Sequence, residues 1–428
     1  MLFNSVNQHC LNSIVRLAET RTVEAAEDIF DERGTKLWAK GKPVPADLQE
    51  KLLRRKLAKP LEATLAVEGA VGFPDIIDAC RTHLEQNPLF GRLVDRDALG
   101  LLIGLRNTPL PQPLRLLLTT AHANGSRSYH HSLSTMLVCA GIASRLDAGE
   151  LDAQHLLMAA LLHDLGEMYI NPDYLQGDRR LQPHEWKHVA SHPRVGQLLI
   201  QELTTLPAAV GLCVAHHHER FDGSGYPNQL ERSKHHRLGG WLAVADSVSA
   251  ILTRGDCGAP LRAALALRIV PEEFDRDAVA VVTQALRKND DHFDGQDDCG
   301  CFDRIAATCA QLQVATERAR SLQAAPDPVV RQASAFALAQ LQNLNKSLRA
   351  TGAIEAGALG KDAFEPELVA EVCLIVKEVD WRMRNLARNL HLRAEAKAEA
   401  EADPLPHLAP LIEALDGHPE PVVPARTG

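Results

Sequence analysis

The sequence predicts a mainly α protein: a central helical bundle, a small mixed α/β module before it and a helical region after it. Three observations carry this expectation. Aromatic residues make up only 4% of the 428 residues while alanine and leucine are abundant, which favours helices packed on aliphatic seams over a large sheet. Apolar residues recur at helical spacing through 151–167, Leu157, Leu161 and Leu165 among them. Glycines and prolines at Gly41, Pro43, Pro172 and Gly177, and in the run 222–228, break the chain between such stretches.

In the first region, 1–110, residues 28–38 read as a hairpin with its corner at Arg33 and Gly34, followed by a helix over 46–57. This is a small module, possible to read as regulatory. Residues 107–113 hold three prolines and read as a linker. The second region, 115–290, is expected to be helical at 151–167, 183–203 and 238–252, with a Gly- and Pro-rich loop at 222–228. The third, 303–416, is a set of helices in which no chemical motif stands out. Its segment 394–400 is a strong helix former, and the Pro-rich tail 417–428 reads as disordered.

Composition narrows the function. A net charge of −9 argues against a surface that tracks a nucleic-acid polymer, while leaving room for one anionic small molecule held at metal ions. No stretch of about 18 apolar residues offers a membrane span. The N-terminus lacks the basic start and apolar core of a signal peptide, so the chain reads as cytoplasmic. Nine cysteines are scattered; Cys299 and Cys301 are the nearest pair and read as reduced thiols.

The chemistry gathers in the second region. His131, His163, Asp164, His192, His217, His218 and Asp246 fall on or near expected helices. Neutral imidazole supplies a directed lone pair, and carboxylate supplies charge and can bridge two ions, a mixture suited to divalent iron, manganese or zinc. Neighbours on a helix point about 100° apart, so His163 and Asp164 could serve adjoining sides of one cavity. Two cations fit so many ligands better than one. A pair of cations suits phosphodiester cleavage, because it acidifies a water and neutralises charge on phosphoryl oxygens. Among 19 histidines, His122, His130, His184, His188, His216, His235 and His236 read as background.

The run from His217 to Pro227, HHERFDGSGYP, closely resembles the signature of HD-GYP domains, a branch of the HD superfamily of metal-dependent phosphohydrolases. His163-Asp164-Leu165-Gly166 resembles the HD motif, His131 the first ligand, His192 with Gly196 the intervening His-x-x-x-Gly, and Ala245-Asp246 the closing aspartate. The resemblance implies an all-helical HD-GYP-type domain binding two divalent metals, iron or manganese before zinc or magnesium. It makes His131, His163, Asp164, His192, His217, His218 and Asp246 the ligands, with Asp164 bridging and His163, Asp164 and His192 at the chemistry. It implies hydrolysis of a cyclic dinucleotide, cyclic di-GMP first. Gly223, Gly225, Tyr226 and Pro227 would lie beside the substrate, and their loop would also be a contact for a signalling partner. The rival expectations are a non-enzymatic signalling module that binds nucleotide or protein, a hydrolase of another phosphate ester, and a structural helical protein.

Three departures from the family pattern bear on the site. Glu167 stands where a lysine usually closes the HD motif, and Arg127 where three-metal members carry glutamate. The stretch 253–260 replaces an Arg-Pro-Tyr substrate-gripping segment, and Ser249 replaces a second aspartate. Glu167, one helical turn from His163, is expected to lend a carboxylate to the site, to pair with Arg127, or simply to face solvent. Glu185 is expected either to join the ligands or to serve as a first-turn acid of its helix.

Overall fold

The computed structural model describes residue 3 and residues 5–44, 52–125, 127–176, 181–254, 258–287, 301–352, 366–396 and 404–417. The chain enters through α1 (Gln8–Ala18), capped by the Asn7 side chain, which accepts from the backbone of His9 and Cys10. Four short strands follow: β1 (Val23–Ala25), β2 (Ile29–Phe30), β3 (Lys36–Trp38) and β4 (Leu65–Val67). β1 pairs antiparallel with β4, and β2 with β3. The β2–β3 hairpin turns where the sequence places it, and the Asp31 carboxylate holds the turn by accepting the backbone N–H groups of Arg33 and Thr35.

Helices make up nearly all of the rest. α2 (Leu61–Thr64), α3 (Phe73–Gln86), α4 (Arg96–Gly104) and α5 (Gln112–Ala123) complete the first part. The centre is α6 (Arg127–Arg145), α7 (Glu150–Leu162), α8 (Pro183–Ala190), α9 (His192–Leu203), α10 (Ala208–His216), α11 (Arg237–Thr253), α12 (Ala259–Ala266) and α13 (Arg276–Leu286). α14 (Cys301–Ser321), α15 (Pro328–Ala350), α16 (Pro366–Ala396) and α17 (Leu405–Asp416) follow. The fold is mainly α, as the composition predicts.

Two packing clusters organise these elements. One runs from Leu11, Ile14 and Ile29 through Leu137, Leu157 and Leu242 to Leu286, so the first region and the central helices share one continuous apolar core. α6 lies in its middle, against α7 and α11, with both helix faces buried. The other cluster joins α14 to α17 through Leu341, Val376, Leu390 and Leu411, and reaches back to Ile269 and Val270.

Four expectations need correction. The helix expected over 151–167 stops at Leu162, and a 3-10 turn, Leu165–Tyr169, replaces its last turn. The helix expected over 183–203 is two, α8 and α9, parted at Ser191; Pro193 has no N–H to continue the ladder and disfavours helical backbone before it. The linker expected at 107–113 is shorter, because α5 begins at Gln112 with Pro113 in its first turn, where a missing N–H costs nothing. α11 runs one residue beyond 238–252 at each end. Residues 46–51, 397–400 and 418–428, and Cys299, lie outside the described residues.

The first region touches the 3-10 turn directly. Asn7 Nδ2 donates to the Tyr169 carbonyl at 3.0 Å, and the Tyr169 hydroxyl donates to Glu62 Oε1 at 2.5 Å. Glu62 is buried, and burial pushes its carboxyl above the ordinary range despite the opposing Tyr169 hydroxyl. A carboxyl raised in the folded state contributes stability that is complete below its unfolded value of 4.5 and is lost as pH rises through the folded value. Glu62→Gln keeps the acceptor and removes the buried charge. Its melting temperature should match the wild type near pH 4 and exceed it at pH 8 by about 2–4 °C, the shift that about 1 kcal/mol produces in a domain of this size; parallel melts across that range measure it.

Candidate metal centre

Three histidines occupy equivalent places in the backbone. His163 follows the last residue of α7, His192 follows α8 by two residues, and His217 follows α10. A helix C-terminus leaves carbonyls without intrahelical donors. Each of these imidazoles fills one: His163 Nδ1 lies 2.8 Å from the Ala160 carbonyl, His192 Nδ1 2.8 Å from that of Val189, and His217 Nδ1 2.6 Å from that of Val214. A carbonyl only accepts, so Nδ1 carries the proton and Nε2 of the neutral ring presents its lone pair inward. At His163 the side chain takes the carbonyl that the Asp164 N–H would have used, which is why the expected helix ends there.

The inward nitrogens meet around Asp164. His163 Nε2 is 3.2 Å from Asp164 Oδ2, and His192 and His217 Nε2 are 3.5 and 3.7 Å from Oδ1. His192 Nε2 and His217 Nε2 stand 3.2 Å apart. Two lone pairs at that distance repel unless a proton or cation lies between them. Buried His163 Nε2 has no hydrogen-bond partner, since Asp164 approaches it off the bonding direction. α6 and α11 close the other side. His131 Nε2 lies 2.8 Å from Asp246 Oδ1, and His218 Nδ1 lies 3.4 Å from Oδ2. Ser249, where the family pattern has aspartate, bonds Thr135 at 2.7 Å and stands 3.5 Å from His131 Nδ1.

Two groups of ligand atoms result: Asp164, His192, His217 and His218, and His131, His163 and Asp164. Within each, one atom per residue lies within 4.8 Å of the others, and Asp164 belongs to both. Asp246 adds a second carboxylate between them, 3.9 Å from His163 Nε2. The orphaned nitrogen, the facing lone pairs and the shared carboxylate fit divalent cations held by nitrogen and oxygen. Charge sorts the imidazoles into two kinds. Burial, reinforced by neighbouring imidazoles, pulls His217 down to about 3 and His218 well below its ordinary value, so both stay neutral and able to ligate. Burial opposes ionisation of Asp164, yet His163 and His192 hold it well below the carboxylate range. Burial would lower His163, but the Asp164 carboxylate outweighs it and raises the ring to about 9, so His163 holds a proton on Nε2 that a bound cation would displace.

The remaining site residues fall into place around this centre. Gly166 lets the 3-10 turn press on α9: a Cβ there would meet the His192 carbonyl oxygen at 2.1 Å. Glu167 is half-buried, beside Asp164, His192 and His131, with a side-chain hydrogen bond to Ser128. Burial, then Asp164, pushes its carboxyl up to about 7. Among the described residues no ion pair joins it to Arg127, and it stands in a 3-10 turn, not on the helix of His163. Glu185 closes a capping box at the start of α8 by accepting the Gln182 N–H. His216 and His235 pack on each other behind the centre, and His122 packs on Tyr129.

The 222–228 loop is folded back onto the ligand pair. The Tyr226 ring stacks on His218 with centroids 4.6 Å apart, and the Tyr226 N–H donates to the His218 carbonyl. Gly225 lies so close to the chain before it that a Cβ would meet the Arg220 nitrogen at 2.3 Å. Buried Glu219 secures the far end, accepting from the backbone of Asn228 and Leu230. Gly223 and Ser224 are held from outside by the C-terminal region: Arg393 donates to the Gly223 carbonyl at 2.7 Å and Asn389 to that of Ser224 at 2.5 Å.

That region contributes more than the sequence announces. A cavity of about 290 Å³ opens from His218, Tyr226 and Asp246, and α16 forms one of its walls with Trp381, Asn385 and Arg388. Arg220, Arg254 and Trp186 also line it. In sequence these α16 residues belong to an ordinary half-exposed helix; their spacing of four and three residues was the one available signal.

Fold and centre together define a helical protein with a shared histidine–aspartate site for divalent cations. Residues 128–251 match the HD domain family, and the chain carries an HD domain there; the HD-GYP resemblance is borne out. Over 162 residues the chain is 29% identical to a cyclic di-GMP phosphodiesterase of Pseudomonas aeruginosa, covering 37% of this chain and 39% of that protein. Over 113 residues it is 34% identical to a cyclic di-GMP phosphodiesterase response regulator of Xanthomonas campestris pv. campestris, covering 26% and 30%. Over 185 residues it is 29% identical to the 3′3′-cGAMP-specific phosphodiesterase 2 of Vibrio cholerae, covering 42% and 35%. The chain therefore spans 30–39% of the length of these relatives.

Gly225→Ala should destabilise the fold by about 1–3 kcal/mol or more, the cost of forcing atoms into a filled space. Gly104→Ala, in a helix with nothing within 4 Å of the added carbon, should be neutral or stabilising. Urea denaturation of both variants measures the contrast.

Proposed function

We propose that this protein is a metal-dependent phosphodiesterase that hydrolyses a cyclic dinucleotide, cyclic di-GMP first. The convergence of five imidazoles and two carboxylates on one buried centre, with three Nε2 atoms turned inward by backbone carbonyls, carries the reading. Two divalent cations, iron or manganese, would be held by His131, His163, Asp164, His192, His217, His218 and Asp246, with Asp164 common to both. When bound, they would supply charge to the phosphoryl oxygens and acidify the attacking water.

The chain's own residues do the rest. His163 and His192, fixed through Nδ1, keep their Nε2 atoms aimed at the centre, and Asp164 balances the charge gathered there. Tyr226, stacked on His218, forms a wall that keeps the reacting phosphate against the ligands and limits water. The leaving 3′-oxygen takes its proton from water or from a histidine of the cluster. Glu167 adds a carboxylate beside Asp164 in place of the family's lysine. The Gly223–Pro227 loop would also be the contact for a signalling partner, at the part of it that Arg393 and Asn389 of this chain leave open. Free cysteines, Cys10, Cys80, Cys139 and Cys213 among them, suit the reducing cytoplasm in which such messengers act. No described helix is long and apolar enough to cross a membrane.

Purified protein should contain divalent metal and should hydrolyse cyclic di-GMP with manganese or iron, within a panel of cyclic and linear dinucleotides. Asp164→Ala should lose metal and lower turnover at least about 100-fold. Metal-dependent turnover of none of the panel by the wild type would overturn the enzymatic reading in favour of a binding module. Glu167→Lys should alter metal content or rate; if neither moves, Glu167 has no part in the site.

A further inference from the structure

Part of the cavity beside the metal centre comes from outside the matched domain. Trp381, Asn385 and Arg388 stand four and three residues apart on α16 and present one face to the cavity. The opposite face is spent on packing: Val379, Met383 and Leu390 are fully buried in the C-terminal cluster. Trp381 lines the cavity and is 42% exposed, with the Arg382 guanidinium over its ring at 5.6 Å. Arg388 lies over the Trp186 ring at 4.9 Å, which holds its guanidinium against another residue of the cavity lining.

Charge identifies the kind of ligand. Five arginines line the cavity against three carboxylates, in a chain whose net charge is −9. Arg382 and Arg262 are engaged with Glu378, Arg382 also with Glu273, and Arg220 leans on Phe274 and lies 3.9 Å from Glu273. Arg254, at the end of α11, has no carboxylate partner among the described residues. It stands at the stretch where the family's substrate-gripping segment is replaced. The positive wall thus faces the metal centre across a space at the lower end of ligand size.

We infer that α16 supplies the substrate grip of this enzyme: Trp381 stacks a nucleobase, and Asn385 and Arg388, with Arg254 from α11, bind its edge and the dinucleotide phosphates. Guanidinium forks match phosphate oxygens, and an indole face stacks on any base. The inference rests on the phosphodiesterase reading. It makes the C-terminal region a determinant of which dinucleotide is cleaved.

The test uses the full chain, with cyclic di-GMP and 3′3′-cGAMP as probes, metal analysis and steady-state kinetics. Trp381→Ala, Asn385→Ala and Arg388→Ala should each raise KM about tenfold or more, with metal content and melting temperature unchanged. Trp381→Phe, which keeps a stacking face, should recover most of the loss. Wild-type turnover with unaltered KM in all three alanine variants would overturn the inference alone. A fall in KM, or a rise in kcat, would overturn it too, by showing that α16 obstructs the site. A wild type without metal-dependent turnover of these two or any other dinucleotide of the panel would bring down the phosphodiesterase reading, and this inference with it.

Discussion

A backbone carbonyl at the end of a helix has two ways to find a donor: water, or a side chain that folds back over the last turn. Here α7, α8 and α10 all use the second, and in each case the donor is a histidine Nδ1. The choice settles several things together. It orients the ring, turns the other nitrogen inward, and after α7 and α10 places the next residue, Asp164 or His218, at the same space. An outer hydrogen bond of this kind orients a ligand and raises its basicity. The metal centre is thus made of helix ends, and its geometry is as rigid as the packing of α6, α7 and α11 behind it.

The second constraint is electrostatic. Arg382 is buried between Glu273 and Glu378, and also donates to the Ala266 carbonyl. Arg262 bonds Glu378 from the other side. Buried charges contribute little net stability when fully paired, but removing one partner strands the other at a cost of about 3–5 kcal/mol. This ladder therefore specifies where α16 sits more than how firmly it is held, and the position it specifies is the wall of the cavity.

Much of this was legible in the sequence. The spacing of Leu157 and Leu161 pointed to a helix, and Asp31 to Thr35 to a turn, because both follow from local periodicity and local hydrogen bonding. The order of His131, His163, Asp164, His192, His217, His218 and Asp246 pointed to a common centre, which the folded chain forms. What stayed hidden depends on contacts between distant segments. The apolar pattern runs past Leu162 to Leu165 without a break, since a side chain competing for the Ala160 carbonyl leaves no mark on hydrophobicity. Pro193 marked a break that the longer pattern masked. Trp381, Asn385 and Arg388 look like any half-exposed helix face until the cavity is seen. Nor does patterning say which partner an apolar face will choose, so the shared core of α1 and the central helices was invisible.

The continuity of that core has a practical meaning for dissecting the molecule. Residues 128–251 match a family, but the packing cluster they belong to begins at Cys10 and ends at Leu286. Glu273, near its close, is neutralised by Arg382 far along the chain. Cutting at the limits of the family match would expose apolar faces on both sides, and cutting after α13 would leave Glu273 with only the more distant Arg220, 3.9 Å away, as counter-charge. The smallest autonomous unit is consequently much larger than the recognisable motif, and a shortened version engineered around the histidines alone would be expected to aggregate rather than to retain a working centre.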